Sequence, residues 1–431
     1  MGAELTALML VGGIILLLVI GVEIAVAIGI VAAFGLLFFI DRPLIQFIYS
    51  GWDTMSSFEL TAIPLFIFMG VIFANSGVIR HLFDAINKLL GRIPGGVACS
   101  IVGSNAVFGA MCGSSIAATA TFGKIALPEA ERLGYNPSIV LGSVAVGGAL
   151  SALIPPSVLL IVYGAWENVS VPRLFAAGMI PGIILLSLFV MTIVVWVKLN
   201  PSIAPRPPKL AWRERLSALK GLMPFVAVIA SVLGVIFLGI MTPTEAASMG
   251  VVFSIIITAA YRKMSFSVLK ESIWPPVKIT AMIALVMLSA KVLAQVFQYI
   301  GLTDSFLALM VALPFGKYGI FATICLLYIV LGMFLDAFSM LVLTLPFVSP
   351  IMAELGFSPL WFGVVYVVLA EFGVITPPFG LHLFVLKNVA PKYDITTIVI
   401  GAAPFFLSYL IIIVLLGAFP QIALWLPSLL Y

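Results

Sequence analysis

Long unbroken apolar runs constrain this chain more than any other feature. Gly13-Ile14-Ile15-Leu16-Leu17-Leu18-Val19-Ile20 is typical. In lipid every backbone N–H and C=O must be paired within the protein, so spanning structures are helices or closed barrels. Barrel strands read as alternating segments of about ten residues, and these runs do not alternate. Of the 431 residues, 63% are hydrophobic and 9% charged, with a mean hydropathy of +1.27. At roughly twenty apolar residues per crossing, there is room for about ten to twelve crossings. The chain reads as an all-α polytopic membrane protein. Its first run, Leu5 to Gly21, lacks a preceding basic segment and is closely followed by a second, so it reads as a retained span. Cys99, Cys112 and Cys325 lie in apolar runs without metal-ligand spacing, which argues against disulfides or zinc. The net charge of +4 is small and sits at the flanks of the runs. It gives no sign of a nucleic-acid partner, whereas membrane lipid is implied by the spans.

A duplication organises the chain. Leu133-Gly134-Tyr135-Asn136-Pro137 recurs as Leu355-Gly356-Phe357-Ser358-Pro359, an offset of 222 (355 − 133). Pro155-Pro156 recurs as Pro377-Pro378, Pro128 as Pro350 and Glu23 as Glu245, each at 222. Gly178 and Pro181 meet Gly401 and Pro404 with one residue of slippage. This predicts a first repeat over residues 1–197 and a second over 221–431. Between them, residues 198–220 carry Lys198, Arg206, Lys209, Arg213, Arg215 and Lys220 against Glu214, with prolines at 201, 205, 207 and 208. Basic residues accumulate on the cytoplasmic side, which places this linker there as a solvated connector.

Each half shows the same succession. Two spans come first, Leu5–Gly21 and Ile24–Ile40, then Leu222–Ile240 and Ala246–Tyr261. A third follows, Leu60–Gly77 and Ile279–Gly301. Next comes an apolar stretch, about 94–132 (rich in glycine) and about 318–354, too long for one comfortable crossing. It reads as a re-entrant hairpin whose tips fall at Ser114 and, since 114 + 222 = 336, at Asp336. A helix broken by the double proline follows, about 138–167 and 360–388, and a long span ends each half.

Asp336 is the only acid between Asp304 and Glu354. An ionisable group at membrane depth is costly and faces a cavity, a partner charge or an ion. Pairing with Lys291, or simple hydration, are its alternatives. A hairpin tip exposes helix-end carbonyls and amides, and a Pro-Pro break frees upstream carbonyls. Placed opposite each other, tip and break supply oxygen ligands suited to a hard cation such as sodium, as unwound helices do in carriers. One candidate sodium site comprises Ser114, Ser115, Ser151, Ile154 and Pro155. The other comprises Asp336, Ala337, Gly373, Thr376 and Pro377. Asn105 and Ser157 are candidates to face substrate, although a packing role suits Asn105 as well. His81 and His382 receive no role.

Cys112-Gly113-Ser114-Ser115, Gly123-Lys124-Ile125-Ala126-Leu127-Pro128-Glu129, Ile154-Pro155-Pro156-Ser157 and Ile375-Thr376-Pro377-Pro378 together resemble the large membrane subunit of tripartite ATP-independent periplasmic (TRAP) transporters. So does the run from Gly332 to Pro350. The resemblance covers nearly the whole chain. It implies two inverted repeats, an elevator-type movement, a sodium gradient as the driving force and a bacterial inner-membrane location. It further implies a small four-helix membrane subunit, a soluble periplasmic substrate-binding protein and organic-acid substrates such as C4-dicarboxylates or sialic acids. Because the sequence opens at its first span, the small subunit is expected as a separate chain. The resemblance places sodium-site regions on Ser114, Ser115 and the Ile154-Pro155 break, and on Asp336, Gly373 and Thr376.

A self-sufficient anion/sodium symporter of the same broad architecture is the main alternative. A gene neighbourhood encoding a four-span protein and a secreted binding protein would discriminate against it. An intramembrane aspartyl protease needs two aspartates at depth, and the counterpart of Asp336 is Ser114. With no His/Glu zinc pair or Ser/His dyad in the spans either, the chain reads as not an enzyme. No phosphate-binding Gly-Lys-Ser/Thr loop supports an ATP-driven pump.

Overall fold

The repeated Leu-Gly-aromatic-polar-Pro segment is a helix stop followed by a helix start. Gly134 and Gly356 take left-handed φ angles of +77° and +69°, which glycine adopts without a Cβ penalty at a helix C-terminus. Asn136 then caps the next helix, its side chain accepting from the Ser138 N–H at 2.9 Å, and Pro137 opens it. Pro359 opens the corresponding helix after Ser358. Proline suits a first helical turn because its missing N–H would be unpaired there anyway.

The computed structural model describes residues 3–40, 44–205, 212–312 and 314–431. The linker residues Arg206, Lys209, Pro207 and Pro208 lie outside these, as do the side chains of Arg213 and Arg215. Every regular element among the described residues is helical. The first half holds α1 (Ala3–Val19), α2 (Ile24–Gly35, continued by a π turn at Leu36–Ile40), α3 (Ile45–Met55), α4 (Ala62–Asn75) and α5 (Ile79–Leu90). It goes on with α6 (Gly96–Cys112), α7 (Ser115–Arg132), α8 (Pro137–Leu150), α9 (Val158–Glu167) and α10 (Val171–Leu199). The second half opens with α11 (Trp212–Phe237), α12 (Pro243–Ala260), α13 (Phe266–Tyr299) and α14 (Leu302–Val311). After them come α15 (Gly316–Gly332), α16 (Ala337–Glu354), α17 (Pro359–Gly373) and α18 (Leu381–Val389). The chain closes with α19 (Ile395–Ala402), α20 (Phe406–Ala418) and α21 (Gln421–Leu430). The first residues of α7 and α16, and of α8 and α17, are 222 apart (337 − 115 and 359 − 137).

Six described helices are long and apolar enough to cross a membrane, or seven if α3 and the α4 segment, bent by 63°, form one span. That is fewer than composition leaves room for, because much of the apolar sequence sits in shorter helices. α6, with 17 residues, measures about 26 Å at 1.5 Å per residue, short of the roughly 30 Å hydrocarbon core. α13 is longer than the span Ile279–Gly301 read from hydropathy: it starts at Phe266 and runs through Pro275 and Pro276. α3, α5, α14 and α21 were not among the expected elements. α5 is amphipathic, burying Ile79, Leu82, Phe83 and Ile86.

Packing divides the helices into two groups that both draw on the two halves. In one, α2 and α4 lie against α13, and α4 against α12. In the other, α8 packs on α6, α7 and α19, α7 on α18, and α17 on α9 and α15. Gly142 of α8 and Gly401 of α19 meet backbone to backbone: a Cβ on Gly142 would lie 2.0 Å from the Gly401 carbonyl oxygen. The start of α8 sits at the linker, since the Asn136 N–H donates to the Ile203 carbonyl at 2.9 Å. On the same side Lys392 and Tyr393 each donate to Glu131 at 2.6 Å, and the Lys392 bond, with that from Tyr393, holds the Glu131 carboxyl below its usual range. The start of α17 sits instead beside α9, where the Tyr163 hydroxyl donates to the Pro359 carbonyl at 2.7 Å.

Candidate functional site

Both connections between paired helices end in an N-cap. Gly113 and Ser114 link α6 to α7, and the Ser114 hydroxyl accepts from the Ala117 N–H at 3.4 Å. Met333 to Asp336 link α15 to α16. There Asp336 Oδ1 accepts from the N–H groups of Phe338 and Ser339, at 3.0 and 3.1 Å. An aspartate at this position satisfies amides that the first helical turn leaves unpaired and meets the positive end of the helix dipole.

Each tip also touches the broken helix of its own half. The Val158 N–H donates to the Gly113 carbonyl and the Gly380 N–H to the Met333 carbonyl, both at 3.2 Å. One turn back, glycines let the backbones approach. A Cβ on Gly109 would lie 2.5 Å from Ser151 Cα, and one on Gly373 2.5 Å from Gly332 Cα. Both double prolines, Pro155-Pro156 and Pro377-Pro378, are joined by cis peptide bonds. The breaks run from Ser151 to Ser157 and from Val374 to Gly380.

The structure brings both tips to one small cavity of ≈ 30 Å³, where Ser114 and Ser115 face Asp336 and Ala337. That is about the volume of one water molecule. Ser114, Ser115 and Asp336 are half-buried. The remaining predicted residues do not line this cavity, and several of their polar groups are committed to packing. Ser151 is buried and its hydroxyl contacts the carbonyls of Asn105, at 2.9 Å, and Gly147, at 3.2 Å. Asn105 donates to the Ile101 carbonyl of its own helix at 2.9 Å, while its buried Oδ1 has no partner among the described residues. Ser157 caps α9, donating to the Ala152 carbonyl and accepting from the Leu160 N–H at 3.2 Å. Thr376 donates through its hydroxyl to the Phe372 carbonyl at 2.7 Å and through its N–H to the Gly373 carbonyl at 2.9 Å. The Ala337 carbonyl accepts from the Tyr366 hydroxyl at 2.5 Å. Ile154 and Pro155 close the first break against α10, where Gly178 and Gly182 pack on them, and Pro377 lies in the second break. Lys291 is not the partner of Asp336: its ammonium lies 2.5 Å from Asp53.

Two ionisable residues of the cavity carry no role in the sequence analysis. Glu371 of α17 is 3% exposed. It lines the same cavity as Ser115 of the other half, and its Oε2 has no hydrogen-bond partner among the described residues. His382 of α18 is fully buried, with Nε2 3.9 Å from that oxygen and neither ring nitrogen hydrogen-bonded among the described residues. Glu371 was findable by the rule that singled out Asp336, being the sole acid of α17 in an otherwise apolar run. His382 gave no such signal. The site thus gathers hydroxyls from one tip and carboxylates from the other tip and from α17. Oxygen donors outnumber the one imidazole, His382, and a buried, unpartnered carboxylate oxygen fits a hard cation better than a soft metal.

Helices broken at matched positions around a charge-bearing cavity define a polytopic membrane transporter fold. The profile of the family "Tripartite ATP-independent periplasmic transporter, DctM component" matches residues 11–422, and the chain belongs to that family. It is 31% identical over 403 residues to the C4-dicarboxylate TRAP transporter large permease protein DctM of Pseudomonas aeruginosa, covering 93% of this chain and 94% of that one. It is 29% identical over 379 residues to the sialic acid TRAP transporter permease protein SiaT of Haemophilus influenzae, covering 88% of this chain and 61% of that one. Among solved structures, the Alcanivorax borkumensis YdaH transporter shares the fold, with a TM-score of 0.54 at 14% identity over 87% of each chain.

Proposed function

We propose that this chain is the large permease subunit of a sodium-coupled, binding-protein-dependent carrier for organic acids of the C4-dicarboxylate or sialic acid class. The observation that carries the reading is the single cavity where Ser114, Ser115, Asp336 and Glu371 converge from both halves. Sodium is held there by the hydroxyl and carboxylate oxygens of the tips and of Glu371, whose negative charge offsets the positive helix N-termini of α7 and α16 at the same tips. A carboxylate substrate, too large for this water-sized cavity, is met at its mouth by those N-termini and by the bound sodium, since no arginine lies in either tip-and-break region.

The two halves are read as inverted repeats. The first tip-bearing helices root at the linker side and the second at the side of the Tyr163–Pro359 contact. In an elevator movement the group built on α8 and α17 shifts as a body against the group built on α4 and α13. The basic linker puts the Asn136–Ile203 side in the cytoplasm, and a bacterial inner membrane provides the periplasm that a soluble binding protein needs. The partners are that protein and a small four-helix membrane subunit, a reading supported by the words tripartite and periplasmic in the family description.

The experiment is uptake from a panel of organic acids by proteoliposomes holding this chain with both partners. Uptake of one panel member is expected only when all three components are present. Robust uptake by the purified chain alone would refute the tripartite reading and favour a self-sufficient symporter.

A further inference from the structure

A polar slot lies away from the tip cavity, between the two helix groups. It consists of adjoining clefts of ≈ 700 and ≈ 680 Å³ that share Asp53 of α3 and Lys291 of α13. The polar positions follow helical spacing. Lys291, Gln295 and Gln298 form a stripe on α13, and Tyr49, Ser50 and Asp53 face them from α3. Two cross-links hold the stripes together, Lys291 to Asp53 at 2.5 Å and Gln295 Nε2 to Ser50 Oγ at 3.3 Å. The opposite wall is made by α9 and the loop after it, through Gly164 and Asn168, and by α16 through Pro346.

Lys291 lies inside a candidate membrane span, where a cation is costly unless it serves a cavity or a charge. Its side chain is 25% exposed, and that of its partner Asp53 is 72% exposed. Among the described residues it is the sole basic side chain lining either cleft, against Asp53, Glu59 and Asp304. α9 and α16 connect the slot to the tips. Leu159 and Phe338 line the tip cavity, and Gly164 and Pro346 line the slot. At 1.5 Å per residue these are about 8 and 12 Å apart along their helices.

We infer that the slot is a receiving site for the organic anion on its way to the tips, in which the substrate carboxylate takes the Lys291 ammonium from Asp53. This rests on the transport reading above. Gln295, Gln298 and Ser50 supply neutral donors for the second carboxylate oxygen or a hydroxyl. The flanking acids disfavour an anion that cannot displace Asp53, so the exchange itself is selective. Because Asp53 is the more exposed partner, it moves into water when displaced and Lys291 stays in the slot.

The test uses the three-component proteoliposomes and reads half-saturating concentrations of substrate and of sodium separately. Lys291→Gln is expected to raise the substrate value at least about tenfold, the loss of a charged hydrogen bond, with the sodium value unchanged. Lys291→Arg should stay near wild type. Asp53→Asn should leave the substrate value unchanged or lower it, because it frees Lys291, and the double variant should behave like Lys291→Gln. A merely structural ion pair predicts that both single variants impair uptake alike and that the double variant recovers; that result would overturn the proposal. So would a substrate value within about twofold of wild type in Lys291→Gln. Should Lys291→Gln fail to insert, a raised substrate value in Asp53→Asn overturns it independently. Absence of any organic-acid uptake by wild type would overturn the transport reading and the slot together.

Discussion

Replacing Asp336 by asparagine is expected to raise the sodium concentration for half-maximal uptake by about five- to 150-fold. The substitution keeps the size and an acceptor oxygen, and asparagine caps helices about as well as aspartate, so the bonds to Phe338 and Ser339 survive. What is lost is a charge beside a buried cation. At separations near 4 Å with an effective dielectric of 20 the direct attraction is about 4 kcal/mol. Hydration and neighbouring oxygens recover much of it, leaving a loss of roughly 1–3 kcal/mol. Glu371, on the same cavity, keeps the loss from reaching the full Coulomb value. Ser114→Ala should cost less, because it removes a neutral ligand and a long cap of 3.4 Å. An unchanged sodium dependence in correctly inserted Asp336→Asn would remove this carboxylate from the ion site.

Gly142→Val is expected to abolish stable folding of the group that carries both tips. A Cβ there would lie 2.0 Å from the Gly401 carbonyl oxygen and 2.2 Å from its carbonyl carbon. Backbone cannot yield as a side-chain end can, so the α8–α19 contact must open. Overpacking in yielding cores costs about 1–3 kcal/mol, and this contact should exceed the upper end. Gly12→Val is the control, since nothing lies within 4 Å of a Cβ at that position. Thermal melting of the two purified variants in detergent reads the difference. Equal melting temperatures would mean that the close contact between the halves is not what holds this group together.

The backbone devices of the fold were legible because each has a local sequence cause. Gly134 and Gly356 stop helices, Pro137 and Pro359 start them, and the double prolines interrupt them, so the spacing of 222 exposed them in pairs. Side-chain chemistry across the halves was not legible in the same way. Glu371 has Ala149 as its counterpart (371 − 222), so comparing the repeats draws no attention to it. Its place beside Ser115 in the cavity depends on how the halves dock. For the same reason Lys291 stood open as a partner for Asp336 until the structure placed it against Asp53. The amphipathic α5 was passed over because Arg80, Asp84 and Lys88 interrupt its hydropathy, although its buried positions follow the helical period. Ser151 and Thr376 were singled out for their place at the breaks. Their hydroxyls bond to carbonyls of adjacent helical turns, a local satisfaction that residue type alone does not reveal.

The most direct measurement is initial uptake of the accepted organic acid by proteoliposomes containing this chain, the small subunit and the binding protein. An inward sodium gradient is compared with an equal potassium gradient, without ATP in either case. Sodium-driven accumulation that disappears in potassium is the result predicted by the hydroxyls and carboxylates that meet between the two tips. Equal uptake with potassium, or uptake that requires ATP, would contradict it.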